Sequence, residues 1–173
     1  FHNILREEEN YHNFDYIIYL DADMLVNETI LENEFQFDSD YTGVHHPGFY
    51  LKKQPMPYER RKISQACIDD IGTVYWQGCL WGGKPKPVIE LCKVLSKRID
   101  IDLSKNLIAE WHDESHINKF FLDNKERVFT LGPEYAFPEV YDVDVNKNFN
   151  YPNIDPTKRK IIHLLKNHSE IRE

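Results

Sequence analysis

The pattern of apolar and polar positions predicts five strands spread along the chain. Short runs rich in β-branched and aromatic residues, bounded by polar or turn-forming residues, are typical of strands. Such runs occur at residues 16–20, 41–46, 73–83, 127–131 and 160–165. The first run is almost wholly apolar, so we expect it to be a buried strand.

Apolar residues at three- and four-residue spacing predict two amphipathic helices between these strands. The first is opened by Pro85 and Pro87, since proline suits the first turn of a helix. Its apolar face consists of Val88, Cys92, Leu95 and Ile99. The second is predicted to be capped by Asp113, and its apolar face consists of Ile117, Phe120 and Phe121. Strands interleaved with helices favour an α/β fold.

Two carboxylates follow the first predicted strand directly. Asp21 and Asp23 flank Ala22 at the end of the apolar run, where open α/β sheets bind their ligands. If this segment is extended, both side chains point to the same side. Paired carboxylates suit a hard cation such as Mg²⁺ or Mn²⁺. Alternatively, one aspartate caps the following segment and the other is solvated.

A second cluster of chemically active residues lies at 111–121, in the stretch WHDESHINKFF. His112 and His116 have the i, i+4 spacing of zinc ligands on a helix, but the zinc-protease motif requires a glutamate directly after the first histidine, where Asp113 stands. The stretch is also consistent with an ordinary helix start. A third interpretation makes Asp113 and Glu114 paired catalytic carboxylates, since a helix N-terminus favours their ionised form.

Two further segments, HPGFY and the C-terminal tail, could each bind a ligand or have only a structural role. In HPGFY, His46 precedes a Pro-Gly turn and two aromatic residues, which could form the wall of a sugar site or pack in the core. The tail 156–173 is locally basic, so it could clamp a diphosphate or simply aid solubility.

Composition narrows the class of protein. With 21 Lys and Arg against 29 Asp and Glu, the net charge of −8 argues against a general nucleic-acid binder. Three cysteines without a CxxC pair indicate neither a disulfide framework nor a zinc knuckle, and no apolar run reaches the ~20 residues of a membrane span. The chain opens at Phe1 rather than Met, so we expect an upstream part of the domain to be missing.

Taken together, these segments resemble glycosyltransferase family six, the family of the ABO blood-group transferases and the α1,3-galactosyltransferase. In family order the matching segments are DYIIYLDADM, HPGFY, YERRKISQA, GCLWGG, WHDESHINK, PEY and KNHSEIR. The resemblance implies a Rossmann-like GT-A fold, with a mixed central sheet flanked by helices. Residues 1–173 would form the C-terminal major part of one catalytic domain, and 156–173 a basic tail closing over the diphosphate.

The resemblance also implies an activity: retaining transfer of galactose or N-acetylgalactosamine from a UDP-sugar to O3 of a β-galactoside, possibly fucosylated, in α1,3 linkage. Glu114 would be the catalytic carboxylate, either attacking the anomeric carbon or stabilising an oxocarbenium-like ion. Asp21 and Asp23 would bind Mn²⁺. Gln77 and Cys79 match neither familiar donor-selecting combination, so the donor sugar stays open.

Further residues are assigned by the same resemblance. The predicted donor-binding residues are Asp21, Ala22, Asp23, Gln77, Gly78, Cys79, His112, Asp113, Lys166 and Arg172. The predicted acceptor-binding residues are His46, Trp111 and Glu114.

Two alternative functions remain at this point. One is a zinc-dependent hydrolase that uses His112 and His116, and the other is a sugar-binding module without turnover. The predicted location is the cytoplasm of a microbe, or the Golgi lumen if the protein is an animal member. Membrane association is expected only through the missing N-terminal part, and no nucleic acid is expected as a partner.

Overall fold

The computed structural model describes residues 1–52, 55–139, 153–155 and 157–165 as a mixed α/β structure. Its helices are α1 (His2–Arg6), α2 (Glu8–Tyr11), α3 (Pro85–Ser104) and α4 (His112–Asp123). Its strands are β1 (Ile17–Leu20), β2 (Met24–Val26), β3 (Tyr41–His45), β4 (Trp76–Gly83), β5 (Val128–Leu131), β6 (Phe137–Pro138) and β7 (Ile161–His163). The predicted α/β class is confirmed.

The larger sheet has the strand order β1-β4-β3-β5. The β1–β4 and β3–β4 pairs are antiparallel, and β3–β5 is parallel. Because β1 lies at the edge of this described sheet, Ile18 is 46% and Tyr19 37% exposed. The prediction that this first strand is buried is therefore wrong for its central residues.

A smaller sheet with the order β2-β7-β6 begins immediately after the aspartate pair. Met24 of β2 lies opposite His163 of β7 in antiparallel register, and β7 also pairs with Pro138 of β6 in parallel. This sheet joins positions about 140 residues apart in the chain. Because of this pairing, β7, the last described strand, lies beside the turn that carries Asp21 and Asp23.

The two longer helices pack against the larger sheet through the apolar faces predicted for them. In α3, Val88, Cys92 and Leu95 are fully buried, and each large aliphatic side chain buried in this way contributes about 1.5–3 kcal/mol. Together with Ile117 and Phe121 of α4 they form one core cluster with strand residues, including Tyr41, Trp76 and Trp81. This core fixes α4 against β4.

The start of α4 differs from its prediction. The helix begins at His112, and the residue before it, Trp111, has no side-chain capping bond to the helix. Asp113 lies inside the first turn rather than at the cap position, so its predicted capping role is wrong. His112 has a φ of 51°, an uncommon left-handed conformation for a residue other than glycine.

No helix within the described part of the chain is both long and apolar enough to cross a membrane.

Candidate active site

The candidate site is built where the first turn of α4 meets β4. The Gly78 N–H donates a hydrogen bond to Glu114 Oε2 at 2.8 Å. A Cβ added at Gly78 would lie 3.4 Å from Glu114 Cβ, an ordinary van der Waals separation. The hydrogen bond from the Gly78 N–H, rather than the lack of a side chain at that position, therefore holds the glutamate against the strand.

A buried asparagine fixes the register between this helix and this strand. Asn118 accepts from the Trp76 N–H at 2.9 Å and donates to the Trp76 carbonyl oxygen at 2.8 Å. Its amide also donates to the carbonyl oxygen of Glu114 at 2.9 Å. Since Trp76 lies two residues before Gly78, these bonds position Glu114. Sequence reasoning missed Asn118, although an amide side chain within the predicted apolar helix face was the available signal.

Glu114 is poised to titrate near neutrality. Burial is the largest cause that raises the pKa of Glu114 to about 7. The Gly78 N–H and the Tyr75 hydroxyl oppose this shift, and the charges of Asp113 and Asp21 add to it. Solvent still reaches part of the side chain, which is half-buried. Environment thus sets this carboxyl apart from an ordinary glutamate.

Tyr75 is a second residue that sequence reasoning did not select. Its side chain is 1% exposed, and its hydroxyl lies close enough to the Glu114 carboxyl to act on the pKa of that group. Burial, followed by the charge of Glu114, raises the pKa of Tyr75. The tyrosine is therefore a neutral group close to the glutamate.

The aspartate pair lies in a closed turn. The Asp21 N–H donates to the Cys79 carbonyl oxygen at 2.9 Å, and the Met24 N–H donates to the Asp21 carbonyl oxygen at 3.1 Å. The extended geometry expected for this segment is therefore wrong, with Ala22 inside the turn. The Tyr19 hydroxyl donates to Asp21 Oδ1 at 2.7 Å, which orients that carboxylate.

The carboxylates of Asp21, Asp23, Asp113 and Glu114 raise the pKa values of two neighbouring side chains, Tyr19 and Cys79. The hydrogen bond to Asp21 is the first cause that raises the pKa of Tyr19 to about 12, followed by burial and by the charges of Asp21, Asp113 and Asp23. Burial raises the pKa of the Cys79 thiol, with added contributions from Asp21, Glu114 and Asp23. Such a concentration of negative charge favours a cation.

The described residues contain no group of three or more His, Cys, Asp and Glu side chains that could hold a metal ion. Mg²⁺-type cations, however, are commonly held by one or two carboxylates plus the phosphate oxygens of a substrate. The oxygen-only donors of Asp21 and Asp23, in an acidic setting, fit a cation that arrives with a diphosphate. They do not form a preassembled protein cage.

His46 is a neutral imidazole that lies next to Tyr75, with ring centroids 5.7 Å apart. Its Nδ1 accepts from the Gly48 N–H at 3.0 Å, so the ring proton lies on Nε2. Burial first, and then the charges of His45 and His163, lower its pKa to about 4. Its ring packs on Phe49, with centroids 5.0 Å apart. Phe49 in turn packs against a buried cluster that includes Tyr75, which matches the core interpretation, and the sugar-binding wall stays a prediction.

The histidines of the zinc interpretation have different surroundings. His116 is 2% exposed, and its Nε2 lies 3.7 Å from the equally buried Asp102. His112 and Asp113 are exposed. Together with the lack of any larger ligand group in the described chain, this gives the zinc interpretation no support.

The other predicted site residues are placed as follows. Trp111 is 49% exposed and precedes α4. Cys79 is 3% exposed and packs in an apolar cluster, so its side chain lies in the core while its carbonyl oxygen holds the aspartate turn. Gln77 donates from Nε2 to His163 Nδ1 at 2.9 Å. Lys166 and Arg172 lie outside the described residues.

Comparison with known proteins decides the family, because residues 3–172 match the model of Glycosyltransferase family 6. The chain belongs to this family. Its mixed sheets and flanking helices are consistent with part of the family's Rossmann-like GT-A domain.

Three relatives illustrate the range of family 6 proteins to which the chain is similar. Histo-blood group ABO system transferase 2 of Rattus norvegicus is 33% identical over 168 residues, covering 96% of this chain and 47% of the relative. Globoside alpha-1,3-N-acetylgalactosaminyltransferase 1 of Gallus gallus is 32% identical, with 85% and 45% covered. O-antigen biosynthesis glycosyltransferase WbnI of Escherichia coli is 34% identical, with 73% and 53% covered. The chain spans about half the length of these curated relatives.

Proposed function

We propose that this protein is a retaining glycosyltransferase that moves galactose or N-acetylgalactosamine from a UDP-sugar to O3 of a β-galactoside, in α1,3 linkage. The observation that carries the proposal is Glu114, a carboxyl with a pKa of about 7 held by the Gly78 N–H beside the acidic turn of Asp21 and Asp23. The names of the matched blood-group and alpha-1,3-N-acetylgalactosaminyl relatives support this class of reaction.

Asp21 and Asp23 would bind the UDP diphosphate through a divalent cation, Mn²⁺ in this proposal. When bound, the cation supplies Lewis-acid stabilisation of the charge that develops on the departing diphosphate. The chain orients the two carboxylates through the Tyr19 hydroxyl on Asp21 and the His163 imidazole on Asp23. Lys166 and Arg172 are proposed to add positive charge from the tail.

Glu114 is proposed to act at the anomeric carbon. By analogy with retaining glycosidases, a carboxylate should lie on the face of the sugar opposite the leaving group. Ionised Glu114 can attack that carbon or stabilise an oxocarbenium-like ion, and the Gly78 N–H keeps one of its oxygens in place. Either role requires the deprotonated form, so activity should increase as the pH rises through about 7.

His46 and Trp111 are proposed to orient the acceptor. The neutral imidazole of His46 donates from Nε2 to a sugar oxygen, since its Nδ1 already accepts from Gly48. The half-exposed indole of Trp111 offers an apolar face to a galactose ring. Together they supply the proximity and orientation that convert a bimolecular transfer into a positioned one.

The direct test incubates the protein with UDP-galactose and UDP-N-acetylgalactosamine in parallel, on lactose and on fucosylated lactose, with and without EDTA. The expected result is an α1,3-linked product by NMR from at least one donor, reduced by EDTA and lost in Glu114→Gln. Near-full transfer by Glu114→Gln with unchanged donor binding would remove Glu114 from both proposed roles.

Two other outcomes would favour the alternatives. Stoichiometric zinc in the purified protein, with a hydrolytic activity lost in His116→Ala, would support the zinc hydrolase. Galactoside binding without any UDP binding would support a sugar-binding module. The cellular location, cytoplasmic for a microbial protein and Golgi lumenal for an animal one, stays a prediction.

A further inference from the structure

A histidine links the aspartate turn to the strand that holds Glu114. His163 Nε2 lies 3.2 Å from Asp23 Oδ2, and its Nδ1 accepts from Gln77 Nε2. We propose that His163 is a positioning residue that couples Asp23 to Gln77, so that diphosphate binding and selection of the donor sugar are set together. This inference rests on the proposed transferase function.

The two ring nitrogens of His163 serve different partners. The amide nitrogen of Gln77 donates to Nδ1, and Nε2 is the nitrogen that faces the Asp23 carboxylate. One imidazole therefore contacts both residues at once.

The imidazole is held in place by backbone pairing on the same side of the site. His163 lies opposite Met24 in the β2–β7 ladder, and the Leu164 N–H donates to the carbonyl oxygen of Asp23 at 2.9 Å. Only about a quarter of the His163 side chain is exposed, at 24%. The contact with Asp23 therefore belongs to the folded sheet rather than to a mobile surface side chain.

Gln77 in turn depends on His163 for its orientation. Its Oε1 is buried and has no hydrogen-bond partner among the described residues, so the Nε2 bond to His163 is the contact that orients this amide. Gln77 directly precedes Gly78, whose N–H holds Glu114. If Asp23 moves when it binds a cation, the His163 ring transmits that movement to Gln77, which directly precedes Gly78.

Three substitutions separate the two contacts. His163→Gln places an amide nitrogen near the Nε2 position and keeps a donor for Asp23, whereas His163→Asn places an amide near the Nδ1 position and keeps a partner for Gln77. His163→Leu removes both contacts at similar volume. His2→Leu is the matched control, because the His2 side chain is 62% exposed and contacts Asp100.

The measurements are calorimetric titration of UDP with and without Mn²⁺, the kcat/KM ratio for UDP-galactose over UDP-N-acetylgalactosamine, and thermal unfolding. His163→Leu is expected to weaken Mn²⁺-dependent UDP binding by about tenfold or more, as for other partners of metal-binding carboxylates, and to change the donor ratio. His163→Gln should recover UDP affinity alone, and His163→Asn the donor ratio alone. UDP binding in EDTA should not change.

A double-mutant cycle completes the test. If His163 acts through Gln77, the effects of His163→Leu and Gln77→Leu on the donor ratio should be non-additive. Additive effects, equal behaviour of the Gln, Asn and Leu variants, or a loss confined to thermal stability would overturn the inference. Absence of Mn²⁺-dependent UDP binding in the unmodified protein would instead overturn the proposed function, and with it this inference.

Discussion

Replacement of Glu114 by glutamine should make the protein more stable and inactive at the same time. Glutamine has the same shape, and its amide oxygen can still accept from the Gly78 N–H. The substitution removes the ionisable group that burial, Asp113 and Asp21 disfavour in its charged form. Residues held for activity commonly reduce stability in this way.

The pH dependence follows from the two pKa values of Glu114. The folded value of about 7 lies above the ordinary 4.5, so between these pH values the folded protein retains a proton that the unfolded chain releases. The contribution of Glu114 to stability is therefore present below pH 4.5 and is lost as the pH rises to about 7. The full difference corresponds to about 3 kcal/mol, and partial solvent access reduces the expected effect to about 1–2 kcal/mol.

The assay is urea and thermal unfolding of both proteins at pH 4.5 and pH 8, in EDTA so that no cation offsets the charge. We expect Glu114→Gln to match the unmodified protein at pH 4.5 and to exceed it at pH 8. An increase of 1–2 kcal/mol in a chain of this size corresponds to about 2–8 °C in melting temperature. Glu110→Gln, at an exposed position four residues earlier, is the matched control.

If the stability of Glu114→Gln relative to the unmodified protein is the same at both pH values, burial does not raise the pKa of Glu114. A loss of stability confined to pH 8 would contradict the raised pKa more strongly, since the charged glutamate would then be a stabilising group. An equal gain in the Glu110→Gln control would show that the effect comes from net charge rather than from the site.

Asn118→Ala should leave the Trp76 N–H and carbonyl oxygen unpaired in the interior, which lowers the free energy of unfolding by about 1–3 kcal/mol for each group. If transfer activity falls by more than the urea-unfolding result explains, Asn118 positions Glu114; unchanged activity would exclude that role. The hydrogen bonds from Arg61 are the main cause that lowers the pKa of Glu59 to about 2. Its stabilising contribution is thus complete above pH 4.5 and lost towards pH 2, so Glu59→Gln should cost about 2 kcal/mol at pH 7 and little at pH 2.5. Equal costs at both pH values would contradict the ion-pair explanation.

Local patterns were sufficient to predict α3. Pro85 opens it, and the spacing of Val88, Cys92 and Leu95 places a single face in the core. Both the proline at the helix start and the apolar spacing can be read from residues that are close together in the sequence. The exposure of Ile18 depends instead on where β1 lies in the sheet, and an apolar run cannot report its position at an edge.

The smaller sheet shows why the candidate site could be predicted only in part. The motifs supplied Asp21, Asp23 and Glu114, which the fold brings to one region. Neither β2 nor β6 is long enough to give a periodic signal, and the pairing of Met24 with His163 joins distant parts of the chain. The link from Asp23 to Gln77 depends on that pairing, so the sequence alone could not reveal it.

The proposed function requires the aspartate turn to bind the diphosphate of a UDP-sugar through a divalent cation. This binding is measured most directly by calorimetric titration of UDP into the protein with and without Mn²⁺, repeated with Asp21→Asn combined with Asp23→Asn. The expected result is UDP binding that Mn²⁺ strengthens in the unmodified protein and not in the double variant. UDP binding of equal strength with Mn²⁺, with EDTA and in the double variant would contradict it.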